Sequence, residues 1–346
     1  MQIVIRMNSP IVSILMPIYN EANTLIQTIN SIQLQSLTDF EVIAINDGSE
    51  DNTQTILKQF SSTDKRIKIS DLPRVGIIKA LNHGLKQCKG KYIARMDADD
   101  LMHPKRLEIQ VNHMQSNPDI SVTSSLVESF PNKSSNTGFQ RYVDWLNSLI
   151  TDDLITNNIF VESPLPHPST MLRTKELIQL GGYKDNGWAE DYDLWLRYFS
   201  NGKRMDKIPY TLLSWRDHPT RTSRTDSRYS VENFIRAKVY YLSKQILTSR
   251  DHILIWGAGQ MGKRISKHLL RNDMPINCFF DINPHKIGKT LRNKPIYNVN
   301  DLPKTFIKYK HPILLVAVAS NNARSLIRRQ LNTWGFTESI DYWCVA

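Results

Sequence analysis

Short apolar runs alternate with segments of helical spacing through the first hundred residues, and that alternation restricts the chain to a layered α/β fold. Ile11 to Pro17, Phe40 to Ile45, Ile67 to Ser70 and Tyr92 to Met96 read as strands. Between them, about Asn20 to Leu34, Asp51 to Phe60 and Ile77 to Gln87 read as helices. Such an order points to a largely parallel sheet, whose ligands gather at the carboxyl ends of its strands. Asp47 and the pair Asp97 and Asp99 stand at two of those ends, so they are expected to face one crevice.

At 346 residues the chain exceeds one typical domain, and two are expected. No apolar run approaches the length of about 18 residues that a membrane span needs; the longest is Ile313 to Ala319. The N-terminus enters a strand-like segment without a signal-peptide pattern. Three widely spaced cysteines argue against a disulfide framework or a cysteine zinc site, which fits a reducing, cytoplasmic setting. The formal charge of +11 is concentrated late: residues 250–346 carry 15 Lys and Arg against 6 Asp and Glu. That excess suits anionic lipid at the inner membrane face, a nucleotide or an acidic partner, or is simply a solvated surface. No nucleic-acid recognition module with interleaved aromatics is present.

Residues 115–165 read as irregular, with Pro118, Pro131 and a polar stretch from Asn132 to Gly138. Helical spacing returns near Thr174–Leu180 and Asp191–Phe199, and Val231 to Thr248 reads as a connecting helix. The expected domains are residues 1–228, a helical linker over 229–249, and a second α/β domain over 250–346.

In Lys91 to Asp100 (KYIARMDADD) an apolar strand runs into three carboxylates. Unpaired charges are too costly to bury, so these acids do not belong to a core. A strand points Asp97 and Asp99 the same way, and two hard oxygen ligands on one face suit Mg²⁺ or Mn²⁺ carrying a substrate phosphate. An acidic turn that solvates the strand end or caps the next helix is the alternative.

Four segments resemble the family 2 glycosyltransferases of the GT-A fold, in order and spacing, over about residues 10–225. They are MPIYNEANT, INDGSEDNT, GIIKALNHGLKQCKGKYIARMDADD and GGYKDNGWAEDYDLWLR. The resemblance implies a nucleotide-sugar-binding domain with a mixed, mainly parallel sheet. It also implies inverting, hexosyltransferase-type transfer from a nucleotide-diphosphate donor, expected to be a UDP-sugar. The acceptor would be a hydroxyl of a glycan or lipid-linked saccharide, in cell-surface glycan or polysaccharide assembly. By resemblance, Asp99 holds Mn²⁺ or Mg²⁺ with help from Asp97; Asp100, read from its position alone, is a helix-side cap. Asp47 would read the base, and Pro17, Tyr19 and Glu21 would cradle the nucleotide. Arg74, Lys79 and Arg95 would meet phosphate or sugar, although Lys79 stands where a small residue is expected. Asp191 takes the position of the base that deprotonates the acceptor, with Glu190 beside it. His218, in Trp215-Arg216-Asp217-His218, would complete the metal shell or meet the diphosphate.

Each of these residues also has a structural reading. Asp47 before Gly48 forms turns, and Tyr19 can staple onto the following helix. Glu190 and Asp191 complement the dipole of a first helical turn, His218 can be a surface-loop histidine, and Trp188 stacks on a sugar or lies in a core. His167 to Arg173 and the Gly181-Gly182-Tyr183 turn resemble acceptor-side elements. The Gln-x-x-Arg-Trp signature of processive polymer synthases is absent, which favours single additions.

In the second domain Gly257-Ala-Gly259-Gln-Met-Gly262 follows a strand and opens a helix, the context of a dinucleotide-binding turn. Asp281 ends the next strand, where a ribose-binding acid would sit. Those features define a Rossmann-like fold resembling domains appended to some bacterial glycosyltransferases. They leave open NAD, a nucleotide sugar or a purely architectural role. Two rival functions remain: a nucleotidyltransferase, whose glycine-rich loop after the first strand is lacking here, and a binding protein that senses a nucleotide through the second domain.

Overall fold

The computed structural model describes residues 9–130 and 137–346, so the expected N-terminal strand and most of the polar stretch from Asn132 lie outside the described residues. The chain divides into two compact units. The first takes in residues up to Ile155, Pro164–Asn186 and Glu190–Thr222; the second takes in Thr156–Ser163, Gly187–Ala189 and Ser223–Ala346.

The first unit is built on one sheet of eight strands: β1 Val12–Ile18, β2 Phe40–Asp47, β3 Ile67–Leu72, β4 Tyr92–Arg95, β5 Leu101–Met102, β6 Ile120–Phe130, β7 Met171–Arg173 and β8 Arg204–Arg216. Their order is β3-β2-β1-β4-β7-β6-β8-β5. β3, β2, β1 and β4 run parallel, as the strand–helix alternation requires. β7 enters antiparallel to both β4 and β6, which makes the sheet mixed. Every residue of β2 is buried, and Ile14, Leu25, Ile29 and Leu57 form part of one core between the sheet and its helices. Each such aliphatic side chain contributes about 1.5–3 kcal/mol on burial.

The expectation of irregular chain over residues 115–165 is corrected: β6 lies there, followed by helices Thr137–Ser148 and Asp152–Asn158. Serines and threonines hide β6 from a hydrophobicity reading. In the fold they are buried, and the Ser124 hydroxyl meets that of Ser169 at 2.6 Å. β8 was likewise unforeseen, because Arg204, Asp206, Lys207 and Pro209 interrupt its apolar pattern. Tertiary pairing with β6 supplies what local propensity lacks.

The second unit carries β9 His252–Trp256, β10 Ile276–Asp281, β11 Thr290–Leu291, β12 Lys294–Asn298, β13 Pro312–Val316 and β14 Tyr342–Cys344. The order is β11-β12-β10-β9-β13-β14, parallel except for the β11 edge. Gly262 cannot bear a side chain: a Cβ there would lie 1.8 Å from the Gly257 carbonyl oxygen. The segment Thr156–Ser163 joins this unit through Phe160, whose ring meets Trp343 edge-on at 5.4 Å, and through the buried Lys238 ammonium, which donates to the Val161 carbonyl at 2.6 Å. Among the described residues, no helix is long and apolar enough to cross a membrane.

Candidate functional site

The turns at the carboxyl ends of β1 and β2 are stitched together by their own polar groups. The Asn20 side chain accepts from the Glu50 N–H at 2.8 Å, and the Asn20 N–H donates to the Ser49 hydroxyl at 3.0 Å. Thr53 and Asp51 accept the N–H groups of Glu21 and Ala22. Pro17 is half-buried at the end of β1, and Tyr19 beyond it is exposed.

Asp47 is the last residue of β2 and is only 2% exposed. Its carboxylate accepts the N–H groups of Val75 at 2.7 Å and Gly76 at 3.0 Å, and it is ion-paired to Arg74. The Arg74 guanidinium in turn lies 3.5 Å over the Tyr19 ring. Gly48 adopts φ +72°, and a Cβ on it would stand 2.6 Å from the Arg74 nitrogen, so only glycine lets the segment pass this close. Tyr19 therefore carries Arg74. In this arrangement Asp47 holds the Arg74 segment.

The acidic triplet lies past the end of β4 in a turn, so strand alternation is not what assembles it. The turn brings one carboxylate oxygen each of Asp97, Asp99 and Asp100 within 4.8 Å of one another. The reading of Asp100 as a cap is corrected. The next helix, Arg106–Ser116, is capped at Lys105; Asp100 instead leads into the two-residue β5, is 1% exposed and accepts the Arg216 N–H at 2.8 Å. Its Oδ2 is buried without a partner. Burial and the charges of Asp99 and Asp97 push the Asp100 carboxyl well above the usual carboxylate range. Glu21, also desolvated and facing Asp99, is pushed up to about 7.

A histidine and an arginine brace this cluster from two sides. His218 Nε2 lies 3.0 Å from the Asp99 carboxylate, and Arg95, itself 1% exposed, meets Asp97 at 2.5 Å. The Nε and Nη1 of Arg95 are buried with no partner. Beneath it Arg106 is fully buried and donates to the Arg95 carbonyl at 2.9 Å. Arg216 donates to the Asp99 carbonyl at 2.5 Å and to Gln27 at 2.8 Å. Sequence reasoning assigned no role to Arg106 or Arg216; an arginine two residues before His218 was the available signal for the second. Lys79 is exposed on the helix Ile77–Leu85, and among the described residues no hydrogen bond or ion pair ties it to these groups.

Glu190 and Asp191 open the helix Glu190–Ser200. Asp193 anchors that helix by pairing with Arg197 at 2.7 Å, and Arg197 donates to the carbonyls of Leu180 and Gly182. Burial and the neighbouring Glu190 charge push Asp191 up to about 8. Arg95 faces this end too, since its charge acts on Asp191, Tyr183 and His167. His167 meets the Tyr183 hydroxyl at 3.1 Å and is kept neutral by burial and Arg95.

Clustered carboxylates past the carboxyl end of β4 and an acid of raised pKa at a helix start suit a nucleotide-linked substrate. Residues 13–181 match Glycosyl transferase family 2, and residues 248–333 match the CoA binding domain. An uncharacterized glycosyltransferase of Haemophilus influenzae is 34% identical over 68% of this chain and 76% of its own. The UDP-Gal:alpha-D-GlcNAc-diphosphoundecaprenol beta-1,3-galactosyltransferase of Escherichia coli is 29% identical over 71% of this chain and 89% of its own. Among solved structures, S. aureus TarS 1-349 in complex with UDP-GlcNAc superposes with a TM-score of 0.56 at 17% identity, covering 86% of this chain and 78% of that one. The mannosyltransferase PcManGT from Pyrobaculum calidifontis, with GDP-Man and Mn²⁺, gives 0.52 at 18%, covering 69% and 64%. The chain belongs to glycosyltransferase family 2. It is a glycosyltransferase, with a GT-A fold domain followed by a Rossmann-like domain that matches the CoA binding domain family.

The acidic cluster fits a divalent cation, because its orphaned Asp100 oxygen and mutually repelling carboxylates are what a hard cation would satisfy. The glycine turn of the second unit does not fit NAD in the same way. Asp281 already accepts the N–H groups of Ala258 and Asn283 at 2.9 Å each, and pairs with the Lys286 ammonium at 2.9 Å. Its carboxylate is not open to a ribose hydroxyl, and no hydride step is derived from it.

Proposed function

We propose that this glycosyltransferase is an inverting, metal-dependent hexosyltransferase that carries a sugar from a UDP-sugar to a hydroxyl of a glycan or lipid-linked saccharide. The observation that carries the reading is the convergence of Asp97, Asp99 and Asp100 within 4.8 Å, with one buried oxygen left unpartnered. The Escherichia coli relative named for UDP-Gal and a diphosphoundecaprenol acceptor supports the donor and acceptor class.

In this reading Asp97 and Asp99, with His218, hold Mn²⁺ or Mg²⁺, which supplies charge neutralisation for the departing diphosphate. Pro17, Tyr19 and Glu21 line the nucleotide, and Arg74, set on Tyr19 by Asp47, reaches its phosphates. Asp47 serves the base by ordering the Arg74 segment. The unpartnered edge of Arg95 receives donor sugar hydroxyls or phosphate. Asp191 takes the proton from the acceptor hydroxyl as its oxygen bonds to the anomeric carbon. The bond from that carbon to the phosphate oxygen breaks, its electron pair leaves with the nucleoside diphosphate, and the anomeric configuration inverts. A raised Asp191 pKa brings the base closer to that of the proton it accepts. Glu190 keeps it raised.

The test is a panel of nucleotide sugars and lipid-linked or glycan acceptors, with and without Mn²⁺, with product configuration read by NMR. An inverted linkage formed only with metal supports the reading, and a retained linkage or metal-independent turnover overturns it.

A further inference from the structure

The second unit contains an open cleft of about 400 Å³ between the helices Val231–Tyr241 and Gln260–Arg271, a volume that accommodates one or two sugar rings. One wall is aromatic: Tyr240 is 36% exposed, and the buried Trp188 backs it with ring centroids 5.5 Å apart. The other wall is polar, and its charges are unequal. Glu232 is already answered by His268 Nε2 at 2.7 Å and Lys267 Nζ at 3.6 Å, which hold its carboxyl below the usual range. Arg236 and the exposed Arg271 are the further cations lining the space. Asn233 accepts from Arg236 Nη1 at 2.8 Å, which fixes the guanidinium 5.8 Å from the Trp188 ring. None of these groups enters the transfer chemistry above.

An aromatic face packs the apolar face of a pyranose, whereas a fixed guanidinium forks onto a carboxylate or a phosphate and gains little from a neutral hydroxyl. We infer that the second unit binds a saccharide in this cleft, and that the sugar carries an anionic group.

Calorimetry on the full chain tests this, with an Asp99→Asn background and no divalent metal so that the acidic crevice does not contribute. The probes are glucose 1-phosphate, methyl glucuronide, methyl glucoside and inorganic phosphate. At least one anionic sugar is expected to bind about tenfold more tightly than both methyl glucoside and inorganic phosphate. Which one wins distinguishes phosphate from carboxylate. Arg236→Ala is expected to weaken it about tenfold, and Arg271→Gln, at an exposed site, to weaken it less without altering the melting temperature. No binding by either anionic sugar, equal binding of inorganic phosphate, or full affinity in both variants overturns the inference. Because transfer is not measured, such a failure leaves the transferase reading standing on its own test.

Discussion

Asp99 and Asp281 occupy comparable places. Each follows a parallel strand in its own sheet, and each has a basic side chain within about 3 Å of its carboxylate. Asp281 stands with two backbone donors and one ammonium around a single negative charge, and is balanced by the fold itself. Asp99 stands with Asp97 and Asp100 beside it and Glu21 facing it, so four carboxyl groups crowd together and burial and mutual repulsion push Glu21 and Asp100 up. Charge that a fold leaves unbalanced marks where a ligand completes it, whereas a balanced acid is architecture. Both acids were read from the sequence as ligand-binding candidates at strand ends; the count of partners separates them.

The sharpest way to break this contrast is Asp99→Asn. Transfer is expected to fall by at least about a thousandfold, since the acid works on charge developing in the transition state. The metal-free melting temperature is expected to hold or rise, because repulsion among the acids is relieved. Residual activity within tenfold of wild type, or a large loss of stability, would refute it.

Asp191→Asn is expected to cost about 10²–10⁴ in kcat, the range of general base catalysis. In the wild type the base form grows as pH rises through the elevated pKa near 8. The acid limb of kcat/KM should therefore lie well above pH 5, and a limb near 4 would remove Asp191 from the role.

Glu21→Gln probes the unbalanced charge directly. Glu21 is neutral below its unfolded value of 4.5 and ionises in the folded state only near pH 7. Stability that it contributes at low pH is thus lost as pH rises through 7. Without metal, the variant should match wild type near pH 4 and melt several degrees higher at pH 8, with Mn²⁺ shrinking the gap. A gap that does not vary with pH would show that the cluster is not electrostatically loaded.

The smallest effect on transfer belongs to the balanced site. Asp281→Ala is expected to leave kcat within about twofold while costing about 1–3 kcal/mol in urea unfolding, because buried N–H groups lose their acceptor. A thousandfold loss of transfer with unchanged stability would reverse the comparison.

The strands up to β4 were legible because short apolar or alternating runs are separated by turn-forming residues and helical spacing. β6 and β8 were not, since a central strand rich in serine, threonine or lysine has no local signature and is fixed by its neighbours. Among the proposed site residues, Asp47, Asp97, Asp99, Glu190 and Asp191 stood out as acids at element ends. Arg106 and Arg216 did not, because an arginine's partners are invisible until carbonyls distant in sequence are brought to it, as Arg95 is to Arg106.

By itself, the sequence determined the alternating α/β order, the family and the acids available for chemistry, all of which follow from local periodicity and motif spacing. Tertiary structure alone decided which acids are in excess and which are answered. It drew Asp100 into the acidic cluster, engaged Asp47 with the Arg74 segment and gave Asp281 its lysine. Charge balance is a sum over neighbours in space, and spacing along a chain does not contain it.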